Sequence, residues 1–182
     1  MIIKKATKRD IKEVKNIVDT LQVSRQQKDW ENAKCGFFEY QKSEEDLLKA
    51  LNPYFIVSEN NKGTNGYCLS YDNGFLRENY KSSENLEFRF ILDNIRGRFL
   101  YIDQLGVLNP NSLVGGKTAV ALMNETLNLT RKNGLEKVIA YICEKPLKNI
   151  KSINFANKYG FNKINDVKIE NQIVLGFYKL VL

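Results

Sequence analysis

FLYIDQLGVLNPNSLVGGKTAVALMNETLNLTRKNG occupies residues 99–134, and its reading sets the frame for the rest of the chain. Residues 99–108 are aromatic and β-branched, with apolar side chains at Phe99, Tyr101, Leu105 and Val107, which predicts a strand. Asn109, Pro110, Asn111 and Ser112 stop it, because proline has no N–H for a ladder and favours a turn. Two glycines come next, Gly115 and Gly116, and then an apolar stripe at Ala119, Leu122, Met123 and Leu127 with helical spacing. Arg131 and Lys132 complement the negative end of that helix, and Gly134 is placed to terminate it. A strand, a glycine-bearing turn and a helix N-terminus make a place where backbone N–H groups converge on an anion.

Gly116-Lys117-Thr118 has the ending of a nucleotide-binding P-loop. That motif needs a glycine five residues before its second glycine, and Asn111 stands there, so the P-loop is excluded. The residues downstream of Gly134 point elsewhere. Residues 137–143, KVIAYIC, read as the next strand, and NIKSINFANKYGF begins fifteen residues after Gly134, at Asn149. This last segment resembles the second signature of the GNAT acyltransferases, Asn-x-x-Ser/Ala-Ile-x-Phe/Leu-Tyr-x-Lys-x-Gly-Phe. Asn149, Ser152, Ile153, Phe155, Lys158, Gly160 and Phe161 match it, and its tyrosine falls on Ala156. The family's phosphate loop, Arg/Gln-x-x-Gly-x-Gly/Ala, falls on Val114, Gly115, Gly116, Lys117, Thr118 and Ala119. There Ala119 fits, Val114 replaces the Arg/Gln and Lys117 replaces the inner glycine.

The resemblance implies an α/β (α+β) fold in one domain over residues 1–182, a mixed, mostly antiparallel central sheet flanked by helices. It implies acetyl-CoA as co-substrate, no metal, and transfer of the acetyl group to a primary amine of a small molecule or peptide. The rival reading is a non-catalytic module of the same fold that binds CoA or a partner; Val114, Lys117 and Ala156 favour it. In the family geometry the amides of Val114, Gly115, Gly116, Lys117, Thr118 and Ala119 meet the pyrophosphate, and Lys117 adds a charge. The strand end at Leu105 and Val107 pairs with the pantetheine arm, the Leu105 N–H polarises the thioester carbonyl, and Asn149 contacts the cofactor. Asp103 is the candidate base. It shares side-chain alternation with Tyr101, Leu105 and Val107 and is expected on the same face as the cofactor channel. Asp103 could equally do no more than satisfy a nearby backbone or basic group. For protonating the thiolate, Ala156 offers no phenol; Tyr159 reads as core, and Tyr141 on the preceding strand is another candidate. Many members dimerise, so a homodimer stays open.

Composition limits the alternatives. A chain of 182 residues, 43% hydrophobic and 27% charged, is that of a globular domain with a real core. No apolar run approaches the ~20 residues of a membrane span, and MIIKKATKRD lacks a signal peptide's apolar region, so a cytoplasmic location is expected. There is no histidine, which excludes Cys/His zinc sites and any histidine-based triad or base. Cys35, Cys68 and Cys143 are scattered without ligand spacing. The net charge of +7, 28 basic residues against 21 acidic, suits polyanions, whether nucleic acid or the phosphates of CoA. No basic block or nucleic-acid motif accompanies it, so nucleic acid is not the expected partner.

Elsewhere, residues 1–6 read as a strand, Thr7 and Asp10 as a capping box, and Ile11, Val14, Ile17, Val18 and Leu21 as a buried helical stripe. Residues 22–41 are polar with Trp30, Phe37, Phe38 and Tyr40 interspersed, either packed on the core or lying over the acceptor. Ser43 to Asp46 starts a helix carrying Leu47, Leu48 and Leu51, ended by Pro53. Residues 54–59 and 66–71 form a hairpin, Asp72-Asn73-Gly74 a turn, and 75–96 an insertion near the acceptor with a helix at Leu86, Phe90 and Ile91. Residues 162–168 and 172–181 close the chain as a hairpin around Glu170 and Asn171.

Overall fold

The strand read from residues 99–108 becomes β4 (Phe99–Val107), at the centre of a seven-stranded sheet in the computed structural model, which describes residues 1–22, 41–80, 86–170 and 173–182. The other strands are β1 (Ile2–Lys5), β2 (Ile56–Asn60), β3 (Gly63–Asp72), β5 (Lys137–Lys145), β6 (Asn162–Glu170) and β7 (Ile173–Val181). Their order is β1-β2-β3-β4-β5-β7-β6, and every neighbouring pair is antiparallel except β4 with β5. Trp30, Phe37, Phe38 and Tyr40, and the closing turn at Asn171, lie outside the described residues.

Each face of the sheet buries its own core, because a strand covered on both sides carries apolar residues at odd and even positions alike. On one face, α1 (Ile11–Leu21) lays Ile11, Val14, Ile17 and Val18 against Tyr67, Leu69 and Tyr71 of β3 and Phe99 and Tyr101 of β4. On the other, α5 (Leu113–Lys132) and α6 (Ile150–Lys158) bury Leu122, Met123, Leu127 and Ile153 against Leu100, Ile102, Val107 and Val138. The first face is completed by α2 (Glu44–Lys49) through Leu47, α3 (Asn73–Tyr80) through Leu76, and α4 (Leu86–Asn94) through Phe88 and Ile91.

Three local readings need correction. Asp72-Asn73-Gly74 does not turn the chain into a loop; Asp72 Oδ1 accepts from the Phe75 N–H at 2.7 Å and starts α3. Among its described residues the insertion therefore holds two helices rather than one, and Leu86 is 50% exposed while Phe88 takes the buried position. The third concerns α5, whose start lies before the two glycines: Ser112 caps it by accepting from the Gly115 N–H at 3.0 Å. Its other end is as read. Gly134 adopts φ +65, and the Leu135 and Gly134 N–H groups reach the Thr130 and Arg131 carbonyls, a Schellman closure.

The capping boxes carry a pH signature. Burial pushes Asp10 up, but hydrogen bonds from Thr7 and the Lys4 ammonium outweigh it and hold the carboxyl below its ordinary value. Ser43 holds Asp46 down, and Thr64 holds Glu13 down. A carboxyl depressed in the folded state stabilises above its unfolded pKa and stops doing so as pH falls through the folded one. With no histidine to titrate in between, thermal unfolding should give a flat melting temperature from about pH 5 to 8, falling steadily below about pH 4. Asp46→Asn should shallow the acid limb; an unchanged limb would show that this cap contributes nothing to it.

Candidate functional site

β4 and β5 are laddered only from Phe99↔Lys137 to Ile102↔Ala140. Past that rung each strand follows its outer neighbour, β4 along β3 and β5 along β7, and a cleft of ≈ 1120 Å³ opens between them. Parallel strands that part leave backbone donors and acceptors facing the gap. A bulge accompanies the parting. Leu69 pairs with Gln104 and Ser70 with Ile102, so Asp103 is the extra residue on β4.

The bulge reverses the expected parity. Phe99 and Tyr101 point into the α1 face, whereas Leu105 and Val107, beyond the bulge, pack with the α5 face. Asp103 stays on the tyrosine side and does not share a face with Leu105 and Val107. There it accepts from the Tyr71 hydroxyl at 3.3 Å and pairs with the Lys42 ammonium at 2.8 Å. Both members are largely withdrawn from water, with side chains 19% and 11% exposed for Lys42 and Asp103. Burial pushes the Lys42 ammonium down, but the charge of Asp103 outweighs it and lifts the lysine above its ordinary value. Lys42 lines the cleft without any mark in the sequence: it is one polar residue before the Ser43 cap.

Tyr141 is the first residue of β5 past the last rung with β4, and it too lines the cleft. Its ring packs against Tyr101 and Phe177, with centroids 6.1 and 5.3 Å away. The hydroxyl oxygen is buried and has no hydrogen-bond partner among the described residues. Burial, then the nearby charge of Glu87, push this phenol far above its ordinary value. Tyr159 differs, since its hydroxyl donates to Asn124 Oδ1 at 3.0 Å and so ties α6 to α5. Ala156 is buried on α6 in the cleft wall.

At the other end of the cleft lies the start of α5. The Gly116 N–H goes to the Ser112 carbonyl, and from there on the amides of Lys117, Thr118 and Ala119 are taken up by the helix. Convergence on an anion is therefore narrower than the six-residue loop read from the sequence: the amides that an α-helix cannot bond internally are those of Leu113 and Val114. Val114 itself is 62% exposed and outside the cleft wall, while Gly115, Gly116, Lys117 and Ala119 line it. Thr118 turns inward, its hydroxyl accepting from the Asn65 side chain at 3.2 Å. Lys151 reaches the Pro110 carbonyl at 3.2 Å and also Asn111 Oδ1, which adds a second cation beside Lys117. Asn149 caps α6, accepting from the Ser152 N–H at 3.2 Å, and sits in the cleft wall. A helix N-terminus flanked by lysines suits phosphate, and the apolar trough behind it suits an extended arm, so the residues fit a CoA thioester. Among the described residues no group of three or more His, Cys, Asp or Glu could hold a metal, and no helix is long and apolar enough to cross a membrane.

No protein-family model matches the chain, and no curated protein matches it by sequence. Solved structures do match in shape over the full chain. Ard1 from Thermoplasma volcanium superposes with a TM-score of 0.69 at 15% identity, covering 100% of this chain and 97% of its own. The Drosophila melanogaster polyamine N-acetyltransferase, which forms N-acetylagmatine, gives 0.67 at 12% identity, covering 100% and 99%. Arabidopsis thaliana Naa50, in complex with the bisubstrate analogue CoA-Ac-MVNAL, gives 0.64 at 13% identity, covering 98% and 97%. The chain has the fold of the GNAT N-acetyltransferases.

Proposed function

We propose that the chain transfers the acetyl group of acetyl-CoA to a primary amine of a small molecule or peptide. The observation that carries this reading is the parting of β4 from β5 beside the N-terminus of α5. The Leu113 and Val114 amides, with Lys117, would hold the pyrophosphate, and the β4 edge from Leu105 to Val107 would pair with the pantetheine amides as an added strand. The Leu105 N–H would then face the thioester carbonyl, where negative charge grows as the amine attacks. Asp103, on the opposite side of the sheet from Leu105, would take the amine proton on the acceptor side. That neighbours of this fold act on amines, and that one is complexed with a CoA–peptide analogue, supports the same reading.

A second reading has its own support: Lys42 already neutralises Asp103, and Ala156 supplies no phenol, as in a module that binds CoA without turnover. Calorimetric titration with acetyl-CoA and CoA at two salt concentrations, then thiol-release assays over amines and peptides, separates the two. Micromolar binding with turnover is expected. Binding without turnover on any acceptor would favour the module, and no binding would sink both. Lys117→Glu puts a negative charge beside the phosphates and should weaken acetyl-CoA by about tenfold, more at low salt; unchanged affinity would mean that the phosphates lie elsewhere.

A further inference from the structure

We propose that the Tyr141 hydroxyl donates a hydrogen bond to the sulfur of the bound acyl-CoA thioester and stabilises it as it departs. This role rests on the chain being an acyl-CoA enzyme, and it is the one that Ala156 cannot fill.

Tyr141 comes directly after the last β4–β5 rung, at the crotch of the parting strands, where an arm inserted between them would end. The other phenols around the cleft are committed: Tyr101 donates to Glu87, Tyr71 to Asp103, Tyr67 to Gln104 and Tyr159 to Asn124. Tyr141 alone of these five keeps a buried oxygen with no partner among the described residues. A buried hydroxyl without a partner is costly, and such groups in native proteins call for an explanation. The ring is also rigid: Tyr101, Phe90 and Phe177 hold it, so little freedom is lost when the hydroxyl engages a ligand.

A phenol raised this far by burial stays protonated at any working pH. It therefore acts as a fixed donor and not as an acid that titrates. As the amine nitrogen bonds to the acyl carbon, the C–S bond breaks and its electron pair stays on sulfur. Tyr141 keeps its proton and hydrogen-bonds the thiolate, while the amine's proton leaves to the base or to solvent. A donor to sulfur strengthens as charge develops, so the interaction favours the transition state over the ground state.

The test needs no acceptor. CoA and desulfo-CoA are titrated at about pH 9, where the thiol is partly ionised, into the native protein and Tyr141→Phe. The native protein should bind CoA about tenfold more tightly than desulfo-CoA, and Tyr141→Phe should bind the two about equally. Equal binding by the native protein, or a preference that survives in Tyr141→Phe, would overturn the assignment and leave the acyl-CoA reading standing. If neither nucleotide binds the native protein, that reading fails and this one with it. A melting temperature for Tyr141→Phe at or above the native one shows an intact fold, since an unpartnered hydroxyl has been removed.

Discussion

Gly115→Ala is expected to destabilise the protein by about 3 kcal/mol, whereas Gly116→Ala should be neutral or stabilise it by up to about 1 kcal/mol. A Cβ at Gly115 would overlap the Asn109 carbonyl oxygen and lie 2.9 Å from its carbon and 3.0 Å from the Leu108 oxygen. All three atoms are backbone, and that carbonyl is already held by the Ser112 N–H and hydroxyl, at 2.9 and 2.8 Å. Nothing flexible can give way, so the first turn of α5 must lift from the end of β4 and drag Leu122 and Met123 with it. At Gly116 a Cβ meets nothing within 4 Å, and alanine is the better helix former. Urea unfolding of the two variants measures the contrast. Equal stabilities would mean that α5 is not seated closely on Asn109. Acetyl-CoA affinity should fall with Gly115→Ala as well, because the Leu113 and Val114 amides move with the turn.

In the sequence these two glycines look alike, and the reason extends to other parts of the chain. Elements announced by hydrophobic periodicity are legible: the α1 stripe, β4, α5 and the closing hairpin come from residue spacing alone. Signals shared by two structures are not. Asp-Asn-Gly is equally good chemistry for a turn and for a helix start, and only Phe75 donating to Asp72 decides it. Ser112 carries a helix-start signal, but low glycine propensity argues for a later one. The bulge leaves no trace at all. Phe99 and Tyr101 before it, and Leu105 and Val107 after it, occupy the same odd positions, while Leu100 and Ile102 are apolar too. Alternation in a strand buried on both faces cannot report an inserted residue, so it puts Asp103 on the wrong side of Leu105. Lys42 has no signal, because pairing across a fold is not written in local spacing.

That pair gives the test with the largest expected effect on activity. Asp103→Asn should reduce turnover by about 100-fold or more if Asp103 accepts the amine proton, while acetyl-CoA affinity changes little. The same substitution should also cost about 3 kcal/mol, because it strands the Lys42 ammonium in a largely dry site. A loss of turnover alone is therefore ambiguous. The raised lysine contributes its stability at every pH below the ordinary lysine range and loses it only as pH climbs through the folded value, so the pair is intact at neutral pH. Lys42→Met combined with Asp103→Asn removes both charges, keeps a group that can meet the Tyr71 hydroxyl, and should recover most of the stability. The two roles now separate. If Asp103 only balances Lys42, turnover returns in the double variant along with stability. If Asp103 is the base, stability returns and turnover does not. A double variant as unstable as the single one would show that the charge left on Lys42 is not what destabilises Asp103→Asn.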